Sequence, residues 1–474
     1  MTQSTKTSAV SHEATKDHRH EIRALAERVA EQAIRAGAHA AEVLLGSGSE
    51  LHAQVRGGKP EMVHEASSKN LGLRVFRDHC SSLTYTSDFS DSGLRTFIDS
   101  AVALCRLSEP DPLNELPGRD ELIPRHAELP DLGLWDDTTP TLDAAFALAQ
   151  AQATEAAALA ASPLLRPDEG ASFSRQSGTS AFACADRTGI LFAGATRGTY
   201  QSLSVEVLAD DKDGKKRSGS YWSGGRFLDR LHTPEAVGRE AGRRALSRIG
   251  AEKIETCELP IIFDPEAAKA LLRLLSQVIS GGSIYRKASY LCEREGTQIA
   301  SPLVSVTDDP LLPGAPGSRL YDGDGLPVRR NVIVEHGVLK TFLLDTYSAR
   351  KLGRRSNGCA GRSGAGAPYV TTSNFILEPS SLDPRDLYRD LDRGLYVTEM
   401  LGFGFNPVTG DFSRGASGFL IENGALTRPV GEITISANFD ELLKRIDAIG
   451  NDLDRRASTM APSLRVSRMM IAGR

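Results

Sequence analysis

Residues 402–424 read GFGFNPVTGDFSRGASGFLIENG, and the glycines at 402, 404, 410, 415, 418 and 424 space short apolar pieces so closely that the backbone must turn repeatedly. Asn406, Thr409, Asp411 and Ser413 carry side chains that bond turn amides. The stretch reads as a compact loop between strands, either a structural staple or the rim of a ligand cleft. Asn406, Thr409, Asp411, Ser413 and Gly415 are its candidate contacts for a substrate or partner. Residues 419–421 and 426–430 then flank Glu422, Asn423 and Gly424, a hairpin with a strong turn signal. Residues 331–345 (NVIVEHGVLKTFLLD) repeat that design around Gly337, which makes His336 a turn residue rather than a ligand.

Upstream, residues 259–263 are the apolar run of a buried strand, and Asp264, Pro265 and Glu266 open a helix. Asp caps free N–H groups, Pro fits the first turn, and Glu suits the positive end of the helix dipole. That helix is predicted to reach about residue 280, before Gly281 and Gly282. In the first half, Ile22, Leu25, Ala26, Val29 and Ala33 predict a helix over 21–36, stopped by Gly37. Short strands are expected at 41–45, 52–56, 71–76 and 81–86, a helix at 92–105, a long surface connection at 108–139 and an Ala-rich helix from 142. Four antiparallel strands are expected at 180–185, 189–193, 202–209 and 215–222, then a linking helix at 234–249. The sum is an α+β fold of two domains, each with mixed helices packed on a largely antiparallel sheet. A disordered tail is expected over 1–20, an N-terminal α+β domain over 21–240 and a β-rich C-terminal domain over 241–474.

A net charge of -5 without a concentrated basic face argues against a nucleic-acid binder; the basic run at 212–217 is a hairpin tip. No run approaches the roughly 18 apolar residues of a membrane span, and the polar first residues are no secretory signal, so a cytoplasmic protein is expected. The cysteines stand singly, without a CxxC pair, against a zinc knuckle or a disulfide framework. No GxSxG occurs, since the glycine of Gly415-Ala416-Ser417-Gly418 falls one place early. The His-Glu pairs at 12–13, 20–21 and 64–65 have no second histidine four or five residues on, and the cluster His12, His18, His20 would bind metal only adventitiously. Residues 361–368 (GRSGAGAP) and 285–295 (YRKASYLCERE) read as mobile loops that lie over a peptide or a partner.

With EITI at 432–435 and IGND at 449–452, the glycine-rich stretch resembles the TldD/TldE (PmbA) peptidase family, and the resemblance extends over most of the chain through GAHAAEV (37–43), GLRVF (72–76), the junction at Asp264 and both hairpins. It implies a heterodimer in which a TldD-like subunit supplies zinc and chemistry through an HExxxH motif at the strand-to-helix junction. Histidines five apart lie roughly 140° around a regular helix, so that motif needs a widened turn. Aligned on the junction, the first histidine falls on Pro265, the glutamate on Glu266 and the second histidine on Ala270, and no cysteine follows Leu453 where the zinc subunit has one. The resemblance therefore implies the TldE (PmbA) side: no catalytic residues, no metal and no cofactor in this chain, zinc in the partner, unfolded peptides as substrate, and no nucleic acid or membrane. Two alternatives stand beside it, an autonomous hydrolase with an unrecognised site and a modulator of DNA gyrase acting as an interaction protein.

Overall fold

The structure, a computed structural model, describes residues 18–474 other than His126 and Ala365, with the side chain of Asp213 left undescribed. The tail expected over 1–20 lies outside the described residues as far as residue 17, and from Arg19 the chain is helical. Helix α1 (Arg19–Arg35) buries Ile22, Ala26, Val29, Ala30 and Ala33, close to the predicted stripe. There follow β1 (Ala40–Arg56), β2 (Lys59–Arg77), β3 (Cys80–Thr86), α2 (Asp91–Cys105), α3 (Ala144–Leu159), β4 (Leu165–Asp186), β5 (Gly189–Asp210), β6 (Lys216–Gly225) and α4 (Pro234–Ser247). The strands form one antiparallel sheet in the order β3-β2-β1-β4-β5-β6.

Two expectations need correction. Residues 41–45 and 52–56 belong to the single strand β1, and 189–193 with 202–209 to the single strand β5, so the four strands expected over 180–222 are three. The glycines inside β1 do not break it. A Cβ at Gly48 would sit 2.9 Å from the Ser177 carbonyl oxygen, so this glycine lets β1 and β4 approach each other.

Alternation along β1 then sets the layers. Ala41, Val43 and Leu45 pack with α1 and α2, while Leu51, Ala53 and Val55, on the same face, pack with α3 and α4. Leu44 faces the other way and joins Phe182, Cys184 and Phe192 against Tyr321 and Leu326 of the second half. The connection at 108–139 is not confined to the surface. Leu122 and Ile123 are buried in that same cluster, and Arg350 donates to the carbonyls of Leu113, Glu115 and Leu116 at 3.2, 2.8 and 2.6 Å.

The second half runs β7 (Cys257–Phe263), α5 (Pro265–Val278), α6 (Gly281–Tyr285), β8 (Val306–Asp308), β9 (Asn331–Glu335), β10 (Val338–Leu339), α7 (Thr346–Lys351), β11 (Ala360–Gly361), β12 (Tyr369–Val370) and β13 (Phe375–Leu377). It ends with α8 (Asp386–Arg389), β14 (Arg393–Leu401), β15 (Asp411–Glu422), β16 (Ala425–Asn438), α9 (Phe439–Lys444), β17 (Ile446–Ile449), β18 (Thr459–Met460) and β19 (Leu464–Ala472). Strands β7, β14, β15, β16 and β19 pair in a closed circuit, because β19 bonds both β7 and β16; within it only β7 and β14 run parallel. Closure removes the free edges that an open sheet would expose. A second sheet has the order β10-β9-β8-β13-β18. Leu259, Ile261 and Phe263 of β7 join Leu271, Leu275 and Val278 of α5 in one large core, which fixes where the helix begins.

Both expected hairpins form. Asn423 and Gly424 have φ of 51° and 73°, and His336 and Gly337 have φ of 46° and 81°, the paired left-handed residues that suit two-residue turns. The glycine-rich stretch is loop only as far as Gly410. From Asp411 it is strand β15, where a Cβ at Gly418 would lie 1.8 Å from the Tyr396 carbonyl oxygen, so glycine is what admits the bulged pairing of β14 with β15.

Candidate functional site

Helix α5 starts as its sequence dictates. Asp264 Oδ1 accepts from the Ala267 N–H at 2.8 Å, Pro265 occupies the first turn, and Glu266 follows it. Burial pushes the Asp264 carboxyl up to about 7, against the hydrogen bond from Ala267.

The long-range partners of this turn come from residues 454–456. Lys269 Nζ lies 2.5 Å from Asp454 Oδ2 and 3.5 Å from Glu266 Oε1, and its side chain is fully buried. Arg456 Nη2 reaches Glu266 Oε1 at 2.6 Å and Asp454 Oδ2 at 2.5 Å, while its Nη1 donates to the Trp222 carbonyl at 2.6 Å. Burial alone would raise the Asp454 carboxyl, but the hydrogen bonds from Arg456 and Lys269 outweigh it and hold the group far below the ordinary carboxylate range. Two carboxylates and two cations thus form a closed, mutually neutralised cluster. Arg456 also stacks over Tyr221 and Trp222, its guanidinium carbon 4.6 and 5.1 Å from the ring centroids.

The cluster faces a cavity of about 770 Å³ between β6, α4, the start of α5 and residues 312–316. A larger cleft of about 1240 Å³ lies between the middle of the N-terminal sheet and residues 318–323 and 360–364, floored by small polar residues such as Ser47, Gly48, Ser177 and Thr199. Arg226 lines both.

The residues proposed from sequence fall in two places. Pro265 and Glu266 line the smaller cavity, and Ala270 lies further along the same helix. Asn406, Thr409, Asp411, Ser413 and Gly415 line neither cavity. Among them, Asn406 Oδ1 accepts from the Val408 N–H at 3.0 Å, Thr409 Oγ1 donates to Asp411 Oδ2 at 2.6 Å, and the Ser413 N–H bonds the Gly404 carbonyl at 2.8 Å. Asn406 and Thr409 shape the loop, whereas Asp411, Ser413 and Gly415 stand on β15. At its tip Phe403 is 96% exposed.

The two supposedly mobile segments are anchored. Arg362 is almost wholly buried and meets Glu42 Oε1 at 2.9 Å, and Leu291 is fully buried in the main core. Tyr290 N–H bonds the Pro407 carbonyl at 2.9 Å, tying residues 285–295 to the glycine-rich loop.

A zinc ion does not fit the α5 donor set. The side chains of Pro265 and Ala270 offer no lone pair, and Glu266 and Asp454 are already bonded to an ammonium and a guanidinium. Among the described residues no group of three or more His, Cys, Asp or Glu side chains is placed to hold a metal. His18 contacts Glu21 at 2.9 Å, and His12 lies outside the described residues.

Sequence reasoning missed Lys269, Asp454 and Arg456. Glu266 and Lys269, three apart on a helix, were a visible pair. Nothing local announces that residue 456 returns to residue 266, 190 positions away.

Family models described as PmbA/TldA metallopeptidase domain 1, central domain and C-terminal domain match residues 41–105, 137–249 and 256–473. The chain is 33% identical over 433 residues to the metalloprotease PmbA of Escherichia coli O157:H7, covering 91% of this chain and 92% of that protein. It is 26% identical to a TldD homologue from Haemophilus influenzae, over 52% of this chain and 54% of that one. A crystal structure from Bacteroides thetaiotaomicron, described as a modulator of DNA gyrase, superposes with TM-score 0.87 at 27% identity, covering 97% of this chain and all of that one. TldE from Thermococcus kodakarensis shares the fold, with TM-score 0.83 at 20% identity over 94% of this chain and 99% of that one. The chain belongs to the PmbA/TldD family of metallopeptidases.

Proposed function

We propose that this chain is the zinc-free, TldE-like subunit of a heterodimeric metallopeptidase that processes or degrades unfolded peptides in the cytoplasm, with a TldD-like partner carrying the zinc. The observation that carries the reading is the first turn of α5, where Lys269 and Arg456 neutralise Glu266 and Asp454 and no imidazole is present. A hydrolytic zinc needs open coordination and a bound water, and two cations at the same spot repel it. The near full-length similarity to PmbA, against half-length similarity to TldD, supports the same side of the pair.

Two surfaces support a partner. Strand β2 is paired on its outer edge only over residues 71–77, which leaves residues 59–70 with an open edge and, apart from half-buried Ala66, exposed residues. Leu401 at the end of β14 and Phe403 and Val408 on the loop that follows expose 54%, 96% and 54% of their surface. Co-purification with mass spectrometry tests the reading. An HExxxH-bearing protein is expected in equal amount, with digestion of an unstructured peptide by the pair and none by this chain alone. Turnover by this chain by itself would overturn it. No helix of the described residues is long and apolar enough to cross a membrane.

A further inference from the structure

The cavity beside α5 holds more positive charge than its acids neutralise. Glu266 and Asp454 are matched by Lys269 and Arg456, and Glu240 bonds Arg243 and Arg244 at 2.8 Å. Arg226, Arg230 and Arg455 line the same cavity, and among the described residues none of the three has a carboxylate within ion-pair distance. The remaining acid of the lining, Asp264, is committed to capping α5.

Arg226 is also preset. Its Nε donates to the Ala315 carbonyl at 3.1 Å, its Nη2 to the Pro316 and Ser318 carbonyls at 2.9 and 3.4 Å and its Nη1 to the Thr199 carbonyl at 3.5 Å, so its plane is fixed and its N–H groups are largely spent, while its charge is left uncompensated. Arg230 lies over the Phe227 ring at 4.4 Å, and Arg230 and Arg455 are exposed at the mouth. Guanidinium groups such as those of Arg230 and Arg455 bond carboxylate and phosphate oxygens through their N–H donors, and the fixed charge of Arg226 adds attraction from within the cavity. Leu312, Pro313, Ala315, Pro316 and Met460 supply an apolar wall, and about 770 Å³ is room for several residues of an extended chain.

We propose that this cavity is an oxyanion-binding site, accepting either the terminal carboxylate of a peptide or a free phosphate. The site stands on this chain's own residues, whether or not the heterodimer reading holds. Calorimetry on the full chain tests it with inorganic phosphate and with two unstructured decapeptides of one sequence, ending in a free carboxylate or a carboxamide. The double variant Arg230→Ala/Arg455→Ala changes only exposed side chains, and its unfolding midpoint checks that the fold is intact.

A free-acid peptide that binds at least tenfold more tightly than its amide, with the difference lost in the double variant, identifies a peptide terminus as the ligand. Phosphate binding weakened tenfold by the same variant, without a difference between the peptides, identifies a free phosphate. No binding of any of the three probes, or binding that the double variant leaves unchanged, overturns the proposal.

Discussion

Lys269 Nζ lies 2.5 Å from Asp454 Oδ2, with the lysine side chain wholly removed from solvent. Removing one member of a buried ion pair leaves the other charge without compensation, which costs far more than the pair's own net contribution. Lys269→Met is therefore expected to lower the free energy of unfolding by about 3 kcal/mol. Adding Asp454→Asn is expected to cost less than it does in the parent. Denaturant unfolding of the four proteins in a double-mutant cycle reads this coupling, and strict additivity would refute it.

Asp264 sets a pH dependence. Its carboxyl is raised from the ordinary 3.8 to about 7 by burial, so between those values the folded chain holds a proton that the unfolded chain has lost. Stability contributed by this group is present below pH 4 and is lost as pH rises through about 7. Asp264→Asn keeps a capping side chain but cannot ionise, so the variant gains on the parent as pH rises from 4 to 8, by a few kcal/mol at most. Asp308 and Asp322 are raised in the same way, to about 6 and 7, so the measurement is the difference between the variant and its parent at each pH.

Gly418→Ala brings a methyl group against the Tyr396 carbonyl, which lies 1.8 Å from the ideal Cβ position. Backbone cannot yield as a side chain tip does, so the closed strand circuit must open there, at a cost of roughly 3 kcal/mol or more. At Gly402 the space is open and only its φ of 78° disfavours alanine, so Gly402→Ala should cost about 1 kcal/mol. Thermal unfolding of the two variants side by side checks the order.

Arg362 joins the two halves of the chain through Glu42 Oε1 of β1, at 2.9 Å, and Arg74 reaches the same oxygen at 3.0 Å. Arg362→Lys keeps the charge but loses the planar fork, and about 2 kcal/mol of stability should go with it. Arg362→Ala should cost more than Arg362→Lys, and equal effects from the two would show that charge and geometry do not matter here.

Features set by neighbours in sequence were legible beforehand. The cap, proline and acid at 264–266, the stripe of α1 and the paired left-handed residues at 423–424 each depend on a few adjacent positions, and each formed as read. The break read at Gly46, between the strands expected at 41–45 and 52–56, misled because this glycine sits inside β1 opposite Asn70 of β2, where an added Cβ would lie 2.9 Å from Asn70 Oδ1, and does not turn its own strand. The site was half legible for the same reason. That Pro265 and Ala270 carry no metal donor in their side chains is plain from the letters, whereas Asp454 and Arg456, which complete the cluster around Glu266 and Lys269, arrive from a segment up to 190 residues further along the chain.

The central claim is that the first turn of α5 holds cations where a zinc peptidase would hold its ion. Zinc content of the purified chain, saturated with the metal, dialysed and measured by plasma mass spectrometry, tests it directly. The account predicts well below one equivalent per chain; one equivalent retained through dialysis would contradict it.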